Sequence, residues 1–483
     1  MTTGGDQRKR SGETYSPHSS PYAFGIARLL LVAALVGAPW AVGGVEPWAW
    51  VALGLAACVI FFLWGLGSVQ QGGVKLVWSP LYTPVALFFL LGVLQYVGRL
   101  TLDRAATREA LVLLATDIAF FFLAIQLFAG ARHETWRAFG LTVVLLAGSL
   151  GLFAILQFGA GEQRIYGQVD TPDNLLFGPY VNPNHFAGLM EMLIPVAIFY
   201  VPERRGESSF TTLAWLGVGG AIAIASLLLS GSRGGLLALA AEIAIAVAIV
   251  LGSRSAPIRK RSFSAAVAAT ILAGVLLFTW VDPGMVSQKL GVIVEVGGPA
   301  WVEWADFRKK AASDSLRMLR DHPIYGVGLG DFETAYPSYQ SYPSDLWIDY
   351  AHNDYVQAVA ETGLLGAILI VSALVLFLYA AFGSRAEDQV SGIGNRRSDV
   401  QLEPGISDRE QQEEPLPPSP QLRTHGHWIR LGAALGCCGM LVHSFFDFNL
   451  HIPANAAWFA VLAGLACSPQ ATQSHEEELE ASG

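Results

Sequence analysis

The chain has 483 residues, 53% of them hydrophobic and only 14% charged, with a formal net charge of −9 and four cysteines. A soluble domain carries about 25% charged residues. The deficit here lies in long apolar runs, which excludes a soluble globular protein and points to an integral membrane one. Acidic residues gather near 398–414 and in the final HEEELEASG, so the net charge says little about partners, and no nucleic-acid partner is implied. Cys58, Cys437, Cys438 and Cys467 all lie in apolar runs and read as small core residues, not as a disulfide or zinc set.

From the N-terminus, Arg8, Lys9 and Arg10 are followed by a polar stretch, and the first apolar run lacks a small-residue cleavage site. With about 20 residues needed per crossing, spans fall near 24–43, 47–67, 81–97, 110–129, 138–157, 185–202, 211–230, 235–252, 264–281, 355–383, 427–445 and 453–468. The predicted fold is all-α, a polytopic transmembrane helical bundle of about 12 spans with a large outward-facing loop containing short helices. Its segments are a cytoplasmic tail (1–23), a first bundle part of about nine spans (24–281), the large outer loop (282–351), a span (352–383), a cytoplasmic linker (384–426), two last spans (427–468) and an acidic cytoplasmic tail (469–483). The linker is rich in Glu, Pro, Gln and Ser and lacks the apolar content to fold.

Basic residues agree with an N-terminus in the cytoplasm: Arg28, Lys75, Arg132, Arg137, Arg204, Arg205, Arg254, Arg259, Lys260 and Arg261 alternate to that side. Arg99, Arg104 and Arg108 break the pattern on a short outer loop. No internal repeat is visible, which weakens a transporter reading.

Several polar residues stand at the mouths of spans, where lipid solvates them poorly. In HNDYVQAVAETG (352–363), Asp349 or a neighbour is expected to cap a helix whose first turn holds His352. His352, Tyr355, Val359 and Gly363 then share one face, and Asp354, Gln357 and Glu361 form a second polar stripe. A neutral imidazole there accepts a proton; the bland alternative is an interfacial, hydrogen-bonded histidine. Arg233, within SGSRGGLLAL (230–239), is either a bidentate phosphate clamp or an arginine snorkelling to headgroups. In YVNPNHFAG (180–188), Asn184 or Asn182 caps a helix entered through Pro183, and His185 and Glu191 lie in its outer part. Asp117 and Glu242 sit deeper in their spans and each needs a partner or a proton.

The outer loop carries a basic helix, Arg308, Lys309, Lys310, Arg317 and Arg320, and then DHPIYGVGLG. Its glycine turn is a weak candidate phosphate cradle, because the Lys-Ser/Thr of a P-loop is missing. HSFFDFNLH (443–451) offers His443, Asp447 and His451 to a metal at four-residue spacing, although Pro453 and the span junction favour a loop; a metal-independent site is preferred.

Together these motifs resemble the O-antigen ligase family, which shares a domain with O-antigen polymerases and protein O-oligosaccharyltransferases. The resemblance rests on SRGGLLAL (Arg233 to Leu237), RDHPIYGVGLGDF (320–332), HNDYVQAVAETG (His352 to Gly363), NPNHFAGLMEMLIP (182–195) and HSFFDFNLHIPANA (443–456), and spans about 180–468. Ala312 stands in the stretch where the family usually has a tryptophan. The resemblance implies a GT-C-type glycosyltransferase of the bacterial inner membrane, with its site on the periplasmic side. It implies metal-independent, inverting transfer of a glycan from undecaprenyl diphosphate to a hydroxyl of lipid A core, a glycan or a protein, without a cofactor. It makes His352 the catalytic residue and Arg233 and Arg308 the diphosphate-binding pair, with Arg317 or Arg320 as substitutes for Arg308. Asn184, His185, Glu191, Arg320 and Asp354 are supporting candidates. A lipid-linked glycan flippase, a metal-dependent transferase and a non-catalytic scaffold compete with this reading.

Overall fold

A computed structural model describes residues 22–170, 176–203, 209–252, 299–343, 347–383 and 426–468. The predicted span at 264–281, the linker and both tails lie outside or almost wholly outside these residues. Among the described residues the chain is almost entirely helical: α1 (Tyr22–Trp40), α2 (Pro47–Gln70), α3 (Tyr82–Gly98), α4 (Arg104–Phe128), α5 (His133–Gly159), α6 (Pro183–Glu203), α7 (Phe210–Ser230), α8 (Arg233–Gly252), α9 (Pro299–Asp321), α10 (Phe332–Ala335), α11 (Asp354–Leu378), α12 (His427–His443) and α13 (Pro453–Cys467). The only sheet described is a hairpin, Arg164–Ile165 paired antiparallel with Val169–Asp170.

Helices are what apolar runs of this length must form in lipid, where each backbone polar group needs an internal partner. Among the described residues seven are long and apolar enough to cross a membrane: Tyr22–Trp40, Pro47–Gln70, Arg104–Phe128, His133–Gly159, Pro183–Val201, Thr211–Ser230 and Asp354–Gly383; Tyr82–Gly98 and Pro453–Cys467 are shorter apolar helices. Local chemistry sets their starts. Asp103 accepts from the amides of Ala105 and Ala106 at the head of α4, and Ser209 accepts from Thr212 at the head of α7.

The bundle is built around α6 and α12. Residues 185–197 of α6 are all buried. The glycines of GAALGCCG let α12 meet α6 backbone to backbone: a Cβ on Gly432 would lie 2.7 Å from the Val196 Cα, and one on Gly436 would lie 2.6 Å from the Met192 carbonyl oxygen. Small residues are what membrane helices use for such close approach. By contrast α2 and α11 present Leu55, Phe62, Val69, Leu364, Ile368, Val371 and Val375 outward, an apolar surface suited to lipid. Cys437, Cys438 and Cys467 are buried as expected, whereas Cys58 is exposed on α2.

One end of the bundle gathers the turn between α1 and α2, the heads of α6, α8, α11 and α13, the tail of α12 and the α9 loop. A Cβ on Gly44 would touch Pro453, and the Tyr166 hydroxyl donates to the Trp40 carbonyl at 2.6 Å. The opposite end carries Arg28, whose Nε donates to the Leu127 carbonyl at 2.7 Å, and Gln126, which pairs with the Val77 backbone.

α11 is broken at Gly363, which has φ +66° and ψ −163°. The loop 323–328 inserts there: Val327 N–H donates to the Ala360 carbonyl (3.0 Å), Gly328 N–H to Glu361 (3.0 Å), and Leu364 N–H to Pro323 (2.8 Å). Gln95 of α3 closes the junction, donating to the Glu361 carbonyl at 2.8 Å and accepting from Leu329 N–H at 3.1 Å. A side chain at Gly363 would collide with the Ile324 carbonyl and would also take up an unfavourable left-handed backbone. Gly363→Ala is therefore expected to lower stability by about 1–3 kcal/mol or more, seen as an earlier thermal loss of monodisperse protein in detergent; an unchanged melting profile would contradict this role.

Candidate functional site

At the gathered end, a buried carboxylate organises the polar residues. Asp447 lies in the turn between α12 and α13 and is 1% exposed. His352 Nδ1 is 3.2 Å from Asp447 Oδ1, Asn184 Nδ2 donates to Oδ2 at 2.7 Å, Arg308 Nη2 is 3.6 Å from Oδ2, and His185 Nε2 is 3.9 Å from Oδ1. The amide of Phe448 also donates to Oδ1 at 3.0 Å. Four separate elements thus converge on one anion. Burial alone would raise the Asp447 pKa; the His352 hydrogen bond and the His185, His352 and Arg308 charges outweigh it and hold the carboxyl well below the usual carboxylate range.

An ionised carboxylate only accepts hydrogen bonds, so Nδ1 of His352 is the donor in this pair. His352 is not in the first turn of α11, as the cap at Asp349 would require. Asn353 is the cap, accepting from Tyr355 N–H (3.1 Å) and Val356 N–H (3.0 Å), and α11 starts at Asp354. His352 precedes it in the left-handed region, φ +51°, and so leaves the face shared by Tyr355 and Val359. Its neighbours hold that conformation. Arg308 Nη1 donates to the His352 carbonyl at 3.2 Å, and Gln357 Oε1 accepts from Ala351 N–H at 3.0 Å. Phe307 and Phe448 flank the ring at centroid distances of 5.5 and 4.9 Å, and Tyr350 stacks on Phe448 at 4.1 Å.

The supporting candidates separate into groups. Asn182 is the cap of α6, accepting from Asn184 N–H at 2.8 Å, which leaves the Asn184 side chain for Asp447. His185 is buried beside them, its ring edge-on to Phe448 at 4.6 Å. Glu191 pairs instead with His443, at 2.9 Å, and Asp354 pairs with His451, at 2.9 Å. His451 Nε2 in turn meets Gln357 at 3.2 Å, and Gln357 donates to Glu361 at 3.0 Å. His443, Asp447 and His451 therefore face three different partners, not one shared point, because the chain turns after His443 instead of continuing as helix.

Arg233 opens α8, whose first turn is capped by Ser232, the hydroxyl accepting from Gly235 N–H at 3.2 Å. Next to it, a Cβ on Gly234 would stand 2.5 Å from His443 Nε2. His443 accepts Asp447 N–H on its carbonyl at 3.1 Å, so Arg233 and His352 belong to the same end of the bundle. Among the loop arginines, Arg308 alone is placed at Asp447. Arg317 is bound to Asp314 at 2.7 Å and to the Tyr339 carbonyl. Arg320 is exposed in the last turn of α9, twelve residues or ~18 Å of helix from Arg308.

The glycine turn is not a phosphate cradle. The amides of Val327, Gly328, Leu329 and Gly330 go to Ala360, Glu361, Gln95 and the Glu361 carboxylate, and those of Gly326 and Asp331 go to His322 and Gly328. Concavities of about 220 Å³, at Leu100 and His322–Gly326, and about 380 Å³, beside Trp78, Leu87 and Leu376, lie outside the Asp447 cluster.

Fold and site together define a multi-pass helical membrane protein with an imidazole–carboxylate–guanidinium cluster at one end. Residues 218–371 match the family described as O-antigen ligase, the family that the motifs of this chain resemble. The match encloses Arg233, Arg308 and His352; Asp447, Asn184 and His185 lie beyond it. No match is found among curated proteins.

Asp447→Asn preserves shape but removes the charge that fixes the His352 tautomer. It is expected to cut activity by about 10²- to 10⁴-fold, measured as turnover at equal folded protein. The acid dependence of stability follows from the depressed carboxyl. Its contribution is complete above the unfolded value of about 3.9 and fades only as pH falls from there toward the folded value. The stability gap between wild type and Asp447→Asn should hold steady from about pH 5 to 8 and shrink below about pH 4; a gap that instead closes near neutrality would disprove the assignment.

Proposed function

We infer that this chain is a membrane glycosyltransferase of the O-antigen ligase type, transferring a glycan from undecaprenyl diphosphate to an acceptor hydroxyl on the periplasmic side of the bacterial inner membrane. The observation that carries the reading is His352, held by Asp447 at 3.2 Å beside Arg308, within a chain whose matched domain also includes Arg233. The twelve-span plan belongs to the same proposal.

In this mechanism His352 Nε2 takes the proton from the acceptor O–H as its oxygen bonds to the anomeric carbon. The bond from that carbon to the phosphate oxygen breaks, and the lipid diphosphate leaves with both electrons. A single displacement of this kind inverts the anomeric centre. Arg233 and Arg308 neutralise the charge that grows on the leaving group, an electrostatic role for groups always charged at neutral pH. Two Arg308 nitrogens face Asp447 and the His352 carbonyl. Guanidinium groups do the work a divalent cation does in other transferases, so turnover should survive exhaustive chelation.

The test is transfer in detergent with a defined lipid-linked donor and lipid A core, glycan or protein acceptors. Product formation without compartments separates a transferase from a flippase, and the acceptor used distinguishes ligase, polymerase and protein oligosaccharyltransferase. His352→Ala should lose about 10²- to 10⁴-fold in rate. Arg233→Ala should lose about 10²- to 10³-fold, with Arg233→Lys nearly as impaired because a point charge does not replace a bidentate fork. Wild-type rates in either alanine variant would sink the mechanism.

A further inference from the structure

Deeper in the bundle, three helices bring together ionisable groups that this mechanism does not use. Glu191 comes from α6, Glu242 from α8 and His443 from α12; they are 0%, 3% and 1% exposed. His443 Nδ1 meets Glu191 Oε2 at 2.9 Å. Neither carboxylate oxygen of Glu242, nor Oε1 of Glu191, has a hydrogen-bond partner among the described residues. Glu242 lies within Coulombic range of Glu191 and of Cys437 and Cys438 on α12; His443 lies within range of Asp447, Arg308 and His185. Glycines make room for the cluster. A side chain on Gly439 would overlap the Glu242 carboxylate, and one on Gly234 would overlap the His443 ring.

Two carboxylates and one imidazolium sum to one negative charge; one further proton makes the cluster neutral. An unpaired charge is costly in a dry interior, so these two states compete for a single proton. The balance is open to outside charge. Arg233 begins the same helix nine residues before Glu242, ~14 Å along the axis. At an effective dielectric of about 20, one negative charge at that distance raises the proton affinity of the cluster about tenfold.

We propose that Glu191, Glu242 and His443 form a proton-binding site coupled to the donor, taking up a proton from solvent when a polyprenyl diphosphate settles at Arg233 and returning it when the diphosphate departs. The proposal rests on the reading of Arg233 as a diphosphate clamp. By reciprocity, protonating the cluster tightens lipid binding by the same factor.

Undecaprenyl diphosphate binding to the purified full chain in detergent tests this, by calorimetry in buffers of different ionisation heat between pH 5.5 and 8.5. Wild type should bind with proton uptake and weaken about tenfold as pH rises, beyond the change shown by the variants. Glu242→Gln should keep the tight low-pH affinity throughout and take up fewer protons, and Glu191→Gln should reproduce this if the first variant does not fold. Binding that depends on Arg233 but shows equal proton uptake and equal pH slope in wild type and both glutamine variants overturns the coupling alone. Binding no tighter in wild type than in Arg233→Ala overturns the coupling together with the diphosphate reading.

Discussion

A buried anion governs this molecule's polar end. Asp447 is almost inaccessible, and a charge so placed is tolerated only when other groups neutralise and hydrogen-bond it. The partners it draws in come from α6, α9, the approach to α11 and the turn behind α12. Each is delivered by its own local device: the Asn182 cap frees Asn184, the left-handed backbone turns His352, and α9 brings Arg308 alongside. Remove the anion and these groups have no common reason to meet.

The transmembrane architecture follows the hydropathy of the chain closely. Helices occupy the apolar runs predicted from α1 to α8, and again at α11, α12 and α13, because lipid leaves such segments little alternative. That α6 and α12 form the centre emerges only in the structure, where Gly432 and Gly436 meet the α6 backbone and residues 185–197 are all buried. Twelve crossings are more than the seven helices that satisfy length and hydropathy among the described residues: α3 and α13 are shorter apolar helices, α8 and α12 are not among the seven, and one predicted span lies outside the described residues.

The site was legible in its members and not in its wiring. His352, Asn184 and His185 stand out as polar residues at span mouths and Arg308 as one of the arginines of the outer-loop helix, and they converge on Asp447. Asp447 was visible only as a possible metal ligand, because its partners lie 95 or more residues away and leave no local pattern. The sequence pattern places His352 in a helical turn, because propensity does not reveal a non-glycine residue at positive φ. GVGLG resembled an anion cradle by composition, yet its amides are occupied by a broken helix that cannot be inferred from the glycines themselves.

The interruption at Gly363 has one more effect. In an uninterrupted helix each residue adds a set rotation, so the stripe facing lipid dictates where the stripe facing the site must point. Here α11 restarts at Leu364 on hydrogen bonds borrowed from Pro323 and Ile324, with its angular phase reset. The four turns that lean on acyl chains can therefore drift in sequence without swivelling Asn353, Asp354 and Gln357 away from their tasks, and lipid fit and chemistry can be tuned on a single span as two independent dials.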